Sequence, residues 1–222
     1  ALSVGACVRS GTRADVAWMV APTASDEAVA FTPGGGKIGT LCNGAFDNVL
    51  ADVAARQLAT GRHVRHTVTE WESAVCGLPE GFEAEFLVVP AAQLPPDVWP
   101  RLLNRQALAL TATLHESEVT SVGMTSAEES PDQVREVIAR GAFAVFRDGE
   151  ALTTVLVPVT RLVIAGGGPI ADALAANARL LGWKITVESR PDHVAGMAAA
   201  LSDMDAVVVM GHDVESSSRN LM

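Results

Sequence analysis

Basic residues are scarce in this 222-residue chain: 16 Lys and Arg against 26 Asp and Glu leave a net charge of −10. Contacts to a phosphate backbone need a basic surface, so the balance speaks against nucleic acid as a partner. It disfavours an anionic membrane face for the same reason. No uninterrupted apolar run reaches the roughly 20 residues that a membrane-crossing helix needs. Ala1-Leu2-Ser3 lacks a basic flank, so no secretory signal is expected there. Cysteine is sparse too. Cys7, Cys42 and Cys76 are odd in number and widely spaced, which points to reduced thiols in a cytoplasmic protein and away from a disulfide framework. No HExxH, CxxC or GxSxG pattern occurs, which weighs against zinc-protease, structural-zinc and α/β-hydrolase chemistry. Internal repeats and low-complexity tracts are also missing.

What is present is concentrated near the C-terminus. Arg161-Leu162-Val163-Ile164-Ala165 reads as a strand that breaks into Gly166-Gly167-Gly168 and opens an Ala-rich helix. A helix N-terminus after a glycine turn offers free backbone N–H groups to an anion. Gly166 supplies the tight turn, Gly168 lets the backbone approach a phosphate, and Ala171 takes the third small position against the strand. A second strand, Lys184–Val187, ends in Glu188, where an acid would meet ribose hydroxyls. The plain alternative is a tight βα turn that binds nothing, with Glu188 an ordinary solvated charge. Helices over Ile170–Leu181 and Pro191–Leu201 and a third strand over Ala206–Met210 complete an alternation that gives a parallel sheet. The last strand delivers Gly211-His212-Asp213 to its C-terminal end, where ligands of open α/β sheets bind. A full dinucleotide fold has two such halves, and here there is one.

Earlier in the chain, strands are expected over Ala6–Ser10, Val16–Val20, His63–Thr69, Ala84–Val89 and Ala107–Leu114. Hairpins are expected around Pro33-Gly34-Gly35-Gly36 and Arg147-Asp148-Gly149-Glu150. Helical spacing runs from Asp47 to about Leu58, with Gly61 as its cap, and another short helix follows Pro95-Pro96. Ser130-Pro131-Asp132-Gln133 reads as a capped helix start, ending at Gly141. His63 and His66 are expected to point apart on their strand, which makes a metal site improbable, and His115 and His193 show no evident partner. The tryptophans are expected in the core or at interfaces. The overall expectation is an α/β protein. A mixed α+β domain over residues 1–159 precedes a Rossmann-like parallel βαβαβ unit over 160–222, with a ligand cleft between them.

The order of these features resembles the XdhC/CoxI family, maturation factors for xanthine and carbon monoxide dehydrogenases. Leu162-Val163-Ile164-Ala165-Gly166-Gly167-Gly168 resembles the family's Val-Val-Ile-Phe-Gly-Ala-Gly turn. Gly182-Trp183-Lys184-Ile185-Thr186-Val187-Glu188-Ser189-Arg190-Pro191 is similar to its Gly-Trp-x-Val-Thr-Val-Asp-x-Arg-Pro segment. Asp205-Ala206-Val207-Val208-Val209-Met210-Gly211-His212-Asp213 resembles its Asp-x-Val-Val-Val-Met-Thr-His-Asp strand end. The N-terminal signature Gly-Ser-[Leu/Val/Ile]-Ser-Gly-Gly-Cys-[Val/Leu]-Glu is matched in shape by Gly39-Thr40-Leu41-Cys42-Asn43-Gly44-Ala45-Phe46-Asp47. There the family's cysteine falls on Ala45, Cys42 takes a serine position and Asp47 replaces the glutamate. Cys76-Gly77 and Leu94-Pro95-Pro96-Asp97-Val98-Trp99 resemble two further family elements. After Asp213 the match fades at Ser216-Ser217-Ser218.

The resemblance implies a chaperone for the molybdenum cofactor (molybdopterin), carried as cargo, with no turnover of its own. Implied partners are a molybdenum hydroxylase apoenzyme and a cysteine desulfurase, and a homodimer is the expected assembly. Cofactor-binding residues would be Gly166, Gly168, Ala171, Glu188, His212 and Asp213, with Cys42, Asp47 and Cys76 on the N-terminal domain. Two alternatives remain open: an NAD(P)-binding oxidoreductase, NAD being favoured by Glu188, and a binding-only regulatory module. Cys42 and Cys76 as small buried hydrophobes are the plain reading of the thiols.

Overall fold

The computed structural model describes residues 1–23, 25–202 and 204–210. The fold is mixed α/β, with a nine-stranded antiparallel sheet and a separate three-stranded parallel sheet. They lie in two compact units, Ala1–Val157 and the chain from Pro158 onward.

In the first unit the elements are α1 (Leu2–Arg9), β1 (Asp15–Ala21), β2 (Ala28–Phe31), β3 (Lys37–Thr40), α2 (Asp47–Ala55), β4 (Gly61–Thr67), α3 (Glu70–Cys76), β5 (Glu83–Pro90), α4 (Val98–Leu103), β6 (Leu108–His115), β7 (Glu118–Ser126), α5 (Asp132–Ala139), β8 (Ala144–Asp148) and β9 (Ala151–Leu156). The strand order is β3-β2-β1-β5-β4-β7-β6-β9-β8. Side chains alternate across a strand, so β1 sends Val16, Trp18 and Val20 to one apolar cluster and Ala17 and Met19 to another. The second cluster sits under α2 and is anchored by Phe46, Leu50 and Phe86. The first also takes Ala112 and Leu114 from β6, Val119 from β7 and Leu152 from β9, so the sheet curls over itself. Two cross-links mark the curl: Trp18 Nε1 donates to Thr154 Oγ1 at 3.1 Å, and Arg147 Nη2 donates to Glu85 Oε2 at 2.8 Å.

Several local expectations are corrected. Residues 6–9 continue α1, with Ser10 as its C-cap, instead of forming a strand. Val4, Cys7 and Val8 recur at helical spacing and pack into the first cluster, and Gly5 lies so close to Trp99 that a Cβ would sit 3.3 Å from it. Gly61 does not cap α2, which ends at Ala55 with Arg56 as its cap. It opens β4 where three strands converge, and a Cβ there would come within 2.9 Å of Val88 O. Ser130 does not cap α5. Its hydroxyl donates to Ser126 O at 2.7 Å and pairs with Thr125, while Pro131 takes the cap position. Helix α3 was not anticipated, although Thr69-Glu70-Trp71-Glu72 carries a capping-box pattern: Thr69 N–H donates to Glu72 Oε2 at 2.8 Å, and Thr69 Oγ1 accepts from Glu72 N–H. Strand β7 was likewise missed, its exposed face being polar.

The second unit runs β10 (Arg161–Ala165), α6 (Pro169–Leu180), β11 (Lys184–Glu188), α7 (Pro191–Ala198) and β12 (Ala206–Val209), in the order β11-β10-β12, all parallel. Leu162 and Ile164 of β10 pack on Ala171, Ala175 and Ala178 of α6, and Val163 and Ala165 pack on Val194 of α7. The two helices therefore cover opposite faces of the sheet. Asp205 ties the bottom of the unit. Its buried carboxylate accepts from Arg161 N–H (2.8 Å), Arg161 Nη2 (2.8 Å) and Ser202 N–H (2.9 Å). Burial alone would raise this carboxyl, but the bonds from Arg161 and Ser202 outweigh it and hold it well below the usual range. Among the described residues, no helix is long and apolar enough to cross a membrane.

Candidate functional site

Two groups of residues carry candidate chemistry, one in each unit. In the second unit, β10 ends at Ala165 between its parallel neighbours. Met210 N–H donates to Ala165 O at 2.7 Å, and Gly166 N–H donates to Glu188 O at 2.9 Å. These bonds draw the ends of all three strands together. Gly166 sits at φ 110°, and a Cβ there would lie 2.6 Å from Met210 O. Gly168 caps α6 at φ 100° and ψ 179°, a conformation open essentially to glycine alone. Beyond Gly167 and Gly168 there is open space, since a Cβ at either meets nothing within 4 Å. Helix α6 begins with Pro169, which lacks an N–H, and the cap makes no side-chain bond. The N–H groups of the first turn therefore face the open side without intrahelical partners. Ala171 is fully buried against β10, as a small residue at that position must be. Asp172 places a carboxylate in the same first turn.

Glu188 stands at the carboxyl end of β11, but its carboxylate is already engaged. It accepts from Arg190 Nη2 (2.8 Å) and Nε (3.0 Å) and from the backbone N–H groups of Ser189 and Arg190 (3.0 Å each). His193 Nδ1 lies 3.2 Å away, so this histidine has a partner after all. His115 also has one, more loosely, with Nδ1 4.0 Å from Glu150. The Arg190 bonds hold the Glu188 carboxyl well below the ordinary range. A ligand hydroxyl would have to share this acid with Arg190 and His193. His212 and Asp213 lie outside the described residues.

In the first unit, Cys42 follows β3 in a single 3-10 turn that leads into α2. Cys42 (φ 49°) and Asn43 (φ 54°) both hold left-handed backbone, which costs a non-glycine residue about 1 kcal/mol or more. Two contacts fix the turn. Glu27 Oε2 accepts the Cys42 N–H at 2.6 Å, and Asn43 Nδ2 donates to Val75 O at 3.2 Å. The second contact brings the turn beside Cys76 at the end of α3, and both half-buried thiols join the cluster under α2. Burial, then Cys76, then Glu27 push the Cys42 thiol up to about 11, so it is protonated at neutral pH. Ala45, the position of the family's cysteine, is 4% exposed and faces the core. Asp47 pairs with Lys37 Nζ at 2.6 Å, while its Oδ1 is buried with no hydrogen-bond partner. Trp71, by contrast, is 61% exposed. His63 and His66 are separated as expected, His63 bonding Glu85 (2.7 Å) and His66 bonding Glu72 (2.9 Å). Among the described residues, no group of three or more His, Cys, Asp or Glu side chains could hold a metal ion.

No protein-family model and no curated protein matches the chain. Among solved structures, the chain is similar to a protein of Bacillus halodurans described as a xanthine dehydrogenase. The two are 15% identical, the likeness covers 99% of this chain and 76% of that one, and the TM-score is 0.56. At that identity, what the two share is the fold, over nearly the whole of this chain.

Proposed function

We propose that this chain is a maturation factor of the XdhC/CoxI type, which binds the molybdenum cofactor and assists its sulfuration and insertion into a xanthine- or carbon-monoxide-dehydrogenase-type enzyme. The observation that carries the reading is the open glycine turn at the carboxyl ends of three parallel strands, in a βαβαβ unit whose sequence resembles that family. A phosphate of the cofactor would lie on the first turn of α6, against Gly166 to Gly168, with Ala171 allowing close packing behind it. Glu188 would meet a hydroxyl or amino group, and His212 with Asp213 would complete the strand-end site.

Cys42, Cys76 and Asp47 on the other unit would be further cofactor contacts, as the resemblance implies. A molybdenum hydroxylase apoenzyme and a cysteine desulfurase are the partners this role calls for, with the chain acting as a homodimer in the cytoplasm. The fold likeness to the Bacillus halodurans protein supports the same setting.

The test is retention of pterin. Molybdenum cofactor released from a donor enzyme is mixed with the chain, and bound pterin is measured after gel filtration. Gly167→Asp is the informative variant. Its backbone has room for a side chain, and it sets a carboxylate before the helix N-terminus. Co-elution that falls at least tenfold in Gly167→Asp supports the reading, and absence of retained pterin overturns it. Retention of NAD(H) in place of pterin would favour the nucleotide-binding oxidoreductase. Binding of neither ligand, with stable capture of a dehydrogenase subunit, would favour a regulatory module.

A further inference from the structure

The parallel sheet of the second unit ends on one side at β11, whose outer edge pairs with no strand among the described residues. This strand reads Lys184-Ile185-Thr186-Val187-Glu188: its inner positions are all β-branched, and Val187 is 46% exposed. Residues of that kind favour strands, and an open edge built from them is a template for a further strand. The bonds on the β10 side fix which backbone groups face outward. Lys184 N–H donates to Thr160 O at 2.9 Å, and Glu188 O accepts from Gly166 N–H at 2.9 Å. Residues 184, 186 and 188 therefore turn their N–H and C=O groups inward. The alternate residues, Ile185 and Val187, turn theirs to the open edge.

This edge is complementary to itself. Set antiparallel to a second copy, with Thr186 opposite Thr186, it puts Ile185 opposite the other copy's Val187 and Lys184 opposite its Glu188. Ile185 and Val187 then exchange hydrogen bonds through the outward groups. The Thr–Thr and Lys–Glu pairs fall at the non-hydrogen-bonded sites, where Cα atoms stand about 4.5 Å apart and side chains meet most closely. Lys184 is exposed and has no ion-pair partner among the described residues, so it can join Arg190 at Glu188. A slip of one residue would call on backbone groups that β10 already uses, and a slip of two would part Lys184 from Glu188. The helices fit the same symmetry. Asp172 and Arg179 are exposed and lie seven residues apart on one flank of α6, which a right-handed crossover turns toward β11. A two-fold axis at Thr186 lays α6 antiparallel to its mate on the same face, with Asp172 of one copy toward Arg179 of the other.

We propose that the chain self-associates through β11, two copies joining their parallel sheets edge to edge about a two-fold axis at Thr186. This gives a surface to the homodimer named above without resting on cofactor binding. A monomer that retains pterin would sink the interface alone, and a dimer that retains none would sink the cofactor reading alone.

The full chain is examined by sedimentation equilibrium, where a species of twice the chain mass is expected at tens of micromolar. Val187→Pro removes an outward donor that makes no bond to β10, a change that edge strands tolerate, and should weaken the dimer at least tenfold. Lys184→Glu should weaken it severalfold, with the fold of both variants checked by circular dichroism. Thr186→Cys, treated with oxidised glutathione, should give a disulfide-linked dimer, since a Cα separation of about 4.5 Å lies within disulfide range. Lys184→Cys, whose counterpart lies four residues away along the strand, should not, and neither should the unaltered chain with its native thiols. A monomer at hundreds of micromolar, a dimer indifferent to Val187→Pro, or equal cross-linking by the two cysteine variants overturns the proposal.

Discussion

The two units solve the problem of burying a sheet in different ways. The first buries β1 on both faces by curling nine antiparallel strands over themselves and laying helices outside, with Trp18, Phe46 and Phe86 filling the space. The second covers a three-stranded parallel sheet with one helix on each face, and small alanines bring α6 close. The first has large side chains and contacts spanning over a hundred residues, such as Trp18 with Thr154. The second is held by neighbours in sequence and by one anchored carboxylate, and it leaves Ile170, Leu180 and Leu181 exposed. The difference shows which unit depends on packing volume and which on backbone geometry.

Substitutions should separate these dependences. Phe86→Ala removes a fully buried ring and should cost about 3–5 kcal/mol in the first unit. In native-state hydrogen exchange, the amides of β4 and β5 should lose protection while those of β10 keep theirs. Equal loss in both would mean that the units unfold as one. Asp205→Asn leaves Arg161 without its carboxylate and should cost about 3 kcal/mol, this time in the second unit, read as a shifted denaturation midpoint for β10 and β12 amides. That penalty should shrink progressively as the pH falls below the usual aspartate range toward the depressed folded value. The depressed native pKa gives stability that is present above the unfolded value of about 3.8 and is lost as pH falls.

Next in size, Gly166→Ala should cost about 2 kcal/mol, because its Cβ would meet Met210 O and its backbone is left-handed. Gly167→Ala should be neutral within about 0.5 kcal/mol. If thermal melts show the two alanines to be equal, geometry does not govern this turn. Thr69→Ala removes the α3 cap and should cost about 1 kcal/mol in chemical denaturation.

The smallest effect concerns His63. Burial, partly opposed by Glu85, lowers its pKa below the ordinary 6.5, so the fold holds the neutral ring, with Nε2–H donating to Glu85. The unfolded chain takes up that proton first. Stability should therefore be full above pH 6.5 and decline as the pH falls from there toward the folded value. His63→Gln should flatten the dependence of Tm on pH between 7.5 and 5.5. An unchanged slope would assign the dependence to other groups.

The second unit was the legible one. Its alternation of strand and helix repeats within about 20 residues, and its glycines and Gly182 punctuate that alternation, so local signals and final contacts agree. In the first unit, local signals competed with distant ones. Residues 6–9 have strand-forming character, yet the packing of Val4 and Cys7 with Trp99 makes them helix. Thr69 to Glu72 carry a legible capping box for α3, whereas β7 shows too little apolar alternation to mark a strand. Within the candidate site, the glycine positions and Ala171 could be read from spacing. The engagement of Glu188 by Arg190 and His193 and the partnership of Cys42 with Glu27 could not.

The sequence by itself determined the charge balance, the positions of the turns and the parallel unit, because turn chemistry and periodicity act over a few residues. Only the tertiary structure decided how nine strands curl and which acids are already paired. Those outcomes depend on side chains far apart in the chain competing for the same volume and the same hydrogen bonds.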